Sequence, residues 1–154
     1  MTDTAPTADG LAAQVSTDTP TVFVVDDDDG MRRGLASLMK SAGRPVRTFD
    51  SAQAFLDAYD PSMRGCLLLD VRMPGMTGLE LREHLARQRI RIPVIILTAY
   101  ADVPMAVRAM HAGVFDFFEK PFDRQRLIDR VRDAIDRDTR ARYEDVKIDQ
   151  IGTC

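Results

Sequence analysis

Five short apolar runs recur along this chain, each followed by a stretch of helical periodicity, and that alternation narrows the fold more than any other feature. The runs are Thr21 to Val25, Pro45 to Phe49, Cys66 to Leu69, Pro93 to Leu97 and Val114 to Phe118. Three are almost continuously apolar, the pattern of strands covered on both faces of a parallel sheet. The second, Pro45-Val46-Arg47-Thr48-Phe49, alternates, which suits an edge strand. Between the runs, Met31, Leu35, Leu38, Met39 and Ala42 form a helical stripe that Gly43 is placed to end. Ala52, Phe55, Leu56 and Tyr59 repeat it behind the capping candidates Asp50 and Ser51. Leu81 and Leu85 mark a third helix, and Met105, Ala106, Ala109 and Met110 a fourth that stops near Gly113. Leu127, Ile128, Val131, Ala134 and Ile135 mark a fifth. Five β-then-α units predict an α/β fold, a doubly wound five-stranded parallel sheet with helices on both faces.

Residues 1–20 stand apart. They carry three acidic residues, no basic one and no sustained apolar period, and are expected to form a disordered tail. The domain is assigned to residues 21–137, and residues 138–154 to a helical linker stub and tail. Past Ile135 the apolar stripe fades, yet acid-to-base pairs continue at i, i+4: Asp133 with Arg137, Asp136 with Arg140, Asp138 with Arg142. Helix is therefore expected to about Tyr143, projecting a turn or two from the body.

A net charge of −3 argues against a broad electrostatic grip on nucleic acid or anionic membrane. Two cysteines, Cys66 and Cys154, make neither a disulfide framework nor a metal cluster, which fits a reducing compartment. With no signal-like N-terminus and no apolar run long enough to span a bilayer, the chain is expected to be soluble and cytoplasmic.

In an open α/β sheet, ligands bind beyond the carboxyl ends of the strands. The first strand ends in Asp26-Asp27-Asp28-Asp29, the third in Asp70 and the fourth in Thr98, while the fifth leads to Lys120-Pro121. Four aspartates in a row are ordinarily a solvated turn or a complement to a helix dipole, the role expected of Asp28 and Asp29. Gathered at one end of a sheet, several carboxylates raise one another's pKa unless a cation sits among them. Oxygen donors without nearby His or Cys select a hard cation, Mg²⁺, whose usual partners are phosphate oxygens. Lys120 offers that phosphate a point charge and Thr98 a hydroxyl. His84 and His111 lack metal-ligating companions and read as surface residues; Met73 and Met76 read as packing, and Cys66 as a small buried hydrophobe.

These residues carry a resemblance. Val24-Val25-Asp26-Asp27, Leu67-Leu68-Leu69-Asp70-Val71-Arg72-Met73-Pro74-Gly75-Met76-Thr77-Gly78, Thr98-Ala99 and Glu119-Lys120-Pro121-Phe122 resemble the receiver domain of two-component response regulators. Asp102-Val103-Pro104-Met105-Ala106-Val107, Ala112-Gly113 and Phe115-Asp116-Phe117 are similar to its FixJ-like branch. The resemblance spans roughly residues 20 to 140 and implies a flavodoxin-like sheet of order 2-1-3-4-5. It implies that Asp70 is the phosphoacceptor for a sensor histidine kinase, forming an acyl phosphate. Asp26, Asp27, Asp70 and the Arg72 backbone carbonyl would hold Mg²⁺, and Lys120 would pair with a phosphate oxygen across a cis Lys120–Pro121 bond. Thr98 would act as the switch hydroxyl with Phe117 as its coupled aromatic, reshaping a partner- or dimer-binding face of the fourth helix, fifth strand and fifth helix. Arg72 and Tyr100 lie where receiver side chains vary and influence access of hydrolytic water.

The resemblance thus implies a phosphoprotein that signals, with self-catalysed phosphotransfer and dephosphorylation only, rather than an enzyme that turns over substrate. FixJ-like receivers usually precede a helix-turn-helix domain, yet only eleven residues follow Tyr143. Transcription control is therefore expected through an output domain that this chain lacks, whether it is a fragment or a stand-alone receiver, with no specific DNA binding and no membrane partner of its own. Two alternatives stand beside it. One is a Mg-dependent aspartate-nucleophile phosphohydrolase, against which Gly30 sits where such motifs favour Thr or Val. The other is an interaction module whose acidic residues only solvate the surface.

Overall fold

The computed structural model describes residues 19–71, 75–99 and 103–152. The expected tail therefore lies outside the described residues except at its last two positions, as do Arg72, Met73, Tyr100 and Cys154.

Each apolar run becomes a strand whose successive side chains enter opposite layers. The elements are β1 (Thr21–Val25), α1 (Asp29–Ser41), β2 (Val46–Phe49), α2 (Ala52–Ala58), β3 (Gly65–Asp70), α3 (Gly78–Arg87), β4 (Val94–Thr98), α4 (Val103–His111), β5 (Asp116–Glu119) and α5 (Arg124–Gly152). The strands form one sheet in the order β2-β1-β3-β4-β5, every pairing parallel. Along β1, Phe23 and Val25 join one buried cluster with Phe55, Leu81 and Leu85. Val22 and Val24 join the other with Leu35, Met39, Leu127 and Val131. So α2, α3 and α4 cover one face and α1 and α5 the other, as period-2 strands between period-3.6 stripes require. The alternating β2 lies at an edge, and Cys66 is fully buried, which pushes its thiol pKa up. None of the described helices is long and apolar enough to cross a membrane.

Two expectations change. β5 begins at Asp116 rather than Val114, because the preceding residues are used to stop α4. Gly113 takes φ +85°, its N–H donates to Met110 O, and the Val114 N–H donates to Ala109 O, a Schellman ending that consumes Val114.

Helix α5 runs to Gly152, well past Tyr143. Its contact with the body does not fade after Ile135 but turns polar. Asp138 is buried and accepts the Gly65 N–H at 3.0 Å and Arg142 Nε at 3.0 Å. Arg142 Nη2 donates to Met63 O at 2.6 Å, and Arg64 Nη2 to Thr139 Oγ1 at 3.0 Å. Of the three expected ion pairs, Asp138–Arg142 forms among the described residues. Asp133 instead meets Arg130 and Arg132, and the Arg137 guanidinium lies over the Phe115 ring, 4.9 Å from its centroid.

Candidate functional site

Parallel strands all end at the same edge, so residues far apart in sequence meet where β1, β3, β4 and β5 stop. Asp26 follows β1, Asp70 closes β3, Thr98 closes β4, and Lys120 follows β5. One donor oxygen from each of Asp26, Asp27 and Asp70 lies within 4.8 Å of the others. Lys120 Nζ stands 3.4 Å from Asp26 Oδ2 and 3.3 Å from Asp70 Oδ2. These distances exceed an ordinary hydrogen bond, so the ammonium is held mainly by charge. Three carboxylates and the Lys120 ammonium thus meet at one point of the sheet edge. The donor set is all carboxylate oxygen, and the residues fit a hard divalent cation such as Mg²⁺.

Burial sorts the cluster. Asp26 is 1% exposed, Asp27 is open to solvent and Asp70 is half-buried. Desolvation raises the Asp26 pKa above the ordinary carboxylate value, and the nearby Asp70 charge adds to the rise. The Asp28 N–H and Lys120 oppose it. Asp26 Oδ1 accepts the Asp28 N–H at 2.9 Å. The rest of the acidic run serves α1: Asp28 caps it by accepting the Met31 N–H at 3.2 Å, and Asp29 in its first turn pairs with Arg32 and Arg33.

Thr98 is fully buried, and its carbonyl accepts the Lys120 N–H at 2.8 Å. The Lys120–Pro121 peptide is cis. Phe117 does not join the cluster. It lies within β5, opposite Ile96 in the register, half-buried against the α2–α3–α4 layer. Arg72 lies outside the described residues.

Two contributors were missed at the level of sequence. A Cβ on Gly78 would meet Asp70 O at 2.5 Å, so the start of α3 can lie against the end of β3 only with glycine there. The Gly78 N–H donates to Val71 O at 3.0 Å, and a capping box between Thr77 and Glu80 starts the helix. Glycine three residues before a leucine stripe was the available signal. The second contributor is Arg32, whose Nη1 donates to the Asp26 carbonyl at 2.8 Å. Sequence shows a basic residue on α1, not that it turns back over the loop.

A family profile for the response regulator receiver domain matches residues 22–132. Nodulation protein W of Bradyrhizobium diazoefficiens is 48% identical over 121 residues, covering 79% of this chain and 53% of that protein. The transcriptional regulatory protein FixJ of Azorhizobium caulinodans is 47% identical over 127 residues, covering 82% of this chain and 60% of that protein. Among solved structures, the response regulator StyR superposes with a TM-score of 0.83 at 46% identity, over 88% of this chain and 68% of that one. FixJ-N superposes with a TM-score of 0.70 at 44% identity, over 76% of this chain and 94% of that one. The chain therefore spans little more than half the length of the curated relatives it matches.

Proposed function

This chain belongs to the response regulator receiver domain family, of the FixJ-like branch, and on that premise we propose that Asp70 accepts a phosphoryl group from the phosphohistidine of a sensor histidine kinase. One observation carries the reading: the Asp70 carboxylate shares a sheet edge with Asp26, Asp27 and the Lys120 ammonium. An Asp70 oxygen attacks phosphorus, the nitrogen–phosphorus bond breaks, and the imidazole leaves with its electron pair, giving an acyl phosphate. Phosphoryl transfer needs positioning and charge compensation more than covalent help. Lys120 supplies one positive charge from a position already within reach of Asp70. Asp26, Asp27 and Asp70, with the Arg72 carbonyl as the remaining protein donor, would hold Mg²⁺, which when bound neutralises charge on the phosphoryl oxygens. Buried Thr98, at the end of β4, offers a hydroxyl to the new phosphate, and Phe117 follows its movement within β5. An open groove of about 600 Å³ beside Lys120, lined by Met31, Leu35, Leu38, Pro121 and Phe122, offers apolar surface to the phosphodonor protein.

On this reading the domain is a cytoplasmic switch, not a turnover enzyme, and phosphorylation of Asp70 reshapes its α4–β5–α5 face to engage a partner or a second copy. We assign the receiver to residues 21–137, with an N-terminal tail and a C-terminal linker around it. Transcription control and DNA recognition belong to the part of the relatives' length that this chain does not match.

Incubation with acetyl phosphate and Mg²⁺, followed by intact mass measurement, tests the reading. One phosphoryl adduct is expected, lost in Asp70→Asn and retained in Asp29→Asn. Repeated turnover of small phosphomonoesters, or labelling that persists in Asp70→Asn, overturns it.

A further inference from the structure

We propose that Arg32 is a positioning residue for the cation-holding loop, fixing Asp26 and Asp27 through a main-chain carbonyl. The inference rests on the reading of the site given above and names a residue outside its donor set.

The strand ladder around β1 ends at Val25, paired with Phe49 on one side and Leu69 on the other. The Asp26 carbonyl lies one residue beyond that last pair, where a buried backbone acceptor needs another partner. Arg32 provides it from one turn inside α1, donating Nη1 at 2.8 Å. The guanidinium is largely enclosed, its side chain 17% exposed, and its Nη2 is pinned by Asp29. Asp26 is thereby tied at four points: its N–H to Phe49 O, its carbonyl to Arg32, Oδ1 to the Asp28 N–H and Oδ2 to Lys120.

The carbonyl tie reaches both donors. The Asp26 carbonyl and the N–H and Cα of Asp27 share one rigid peptide plane. Holding that carbonyl orients the stem from which the exposed Asp27 side chain departs. Groups that orient metal ligands matter almost as much as the ligands themselves.

Charge and position predict opposite signs for removing Arg32. A guanidinium beside a cation site repels the cation, so on charge alone Arg32→Ala tightens binding. If the tie dominates, the same change loosens it. Lysine keeps the charge but lacks the planar fork that serves the Asp26 carbonyl and Asp29 together.

The experiment measures Mn²⁺ binding by electron paramagnetic resonance, with Mg²⁺ competition, since the chain has no tryptophan to report it. Melting without metal is recorded alongside. The wild-type chain is expected to bind, with affinity reduced about tenfold in Arg32→Ala and about threefold or more in Arg32→Lys. Arg33→Ala, which removes an exposed guanidinium of the same turn that makes no bond to the Asp26 carbonyl, is expected to stay within about twofold. Affinity equal to or tighter than wild type in Arg32→Ala overturns the inference alone. If Arg32→Ala does not fold, wild-type affinity in Arg32→Lys overturns it equally. No binding by the wild-type chain overturns the reading of the site, and the inference falls with it.

Discussion

The Asp26 carboxylate is almost fully out of water and stands beside a second carboxylate, and both conditions disfavour its charged form. Its folded-state pKa therefore lies above the unfolded value. The folded chain binds that proton more tightly, so this group's contribution to stability is greatest at low pH. It declines as pH rises from the ordinary carboxylate value through the raised one. Asn at this position carries no charge to desolvate and can still accept the Asp28 N–H. Asp26→Asn is accordingly expected to melt higher than wild type at neutral pH without metal, the gap closing as pH falls through the carboxylate range. The same variant is expected to lose Mg²⁺-dependent labelling of Asp70. A lower melting temperature at neutral pH would contradict the burial argument. That Asp28 and Asp29 serve the start of α1 was legible in sequence, since negative charge there complements the helix dipole; that Asp28 is the cap itself came from the structure. Which peptide carbonyl Arg32 reaches was not legible either, because a side chain six residues on can swing to several acceptors.

At the scale of elements, helix endings fix where the strands can start. Helix α1 closes with the Gly43 N–H on Lys40 O and the Arg44 N–H on Met39 O, Gly43 having φ +81°. Helix α4 closes in the same way at Gly113. Helix α3 uses the same motif, with the Arg89 N–H on Ala86 O and the Ile90 N–H on Leu85 O, yet its left-handed residue is Arg89, at φ +60°. A side chain in that conformation costs on the order of 1 kcal/mol relative to glycine. Arg89→Gly, at an exposed position, is expected to stabilise the chain by about 0.5–1 kcal/mol in urea unfolding, with an unchanged slope. A destabilised variant would mean that the Arg89 side chain makes a contact worth more than the strain. The glycine endings were readable; the arginine one was not, because nothing in its residue type announces a positive φ.

Across the whole molecule, α5 is fastened to the end of the sheet opposite the acidic cluster. Buried Asp138 bridges the Gly65 N–H and Arg142, and Arg142 continues to the Met63 carbonyl. The first half of α5 is held by apolar packing of Leu127, Val131, Ala134 and Ile135, and the polar latch extends that grip by about two turns. Asp138→Ala leaves a buried N–H without its acceptor and a guanidinium without its carboxylate, a loss of about 1–3 kcal/mol. The expected signs are a lower urea midpoint and faster amide exchange at Gly65 and along residues 138–142. Arg142→Ala is expected to be non-additive with it, since the two side chains act as one network. Full additivity would show that they act independently.

The chain alone determined the sheet, its two covered faces and the strand ends that carry Asp26, Asp70, Thr98 and Lys120. Those follow from period and burial, which are local properties of sequence. Tertiary structure decided the rest. The Asp138 latch, the Arg32 tie and the contact of Gly78 with Asp70 depend on the separation of groups brought together by packing, across distances in sequence that no periodicity encodes. The sequence pattern of α5 fades where its apolar stripe ends, but the helix stays on the body because a hydrogen-bonded ion pair can hold what hydrophobic burial no longer does.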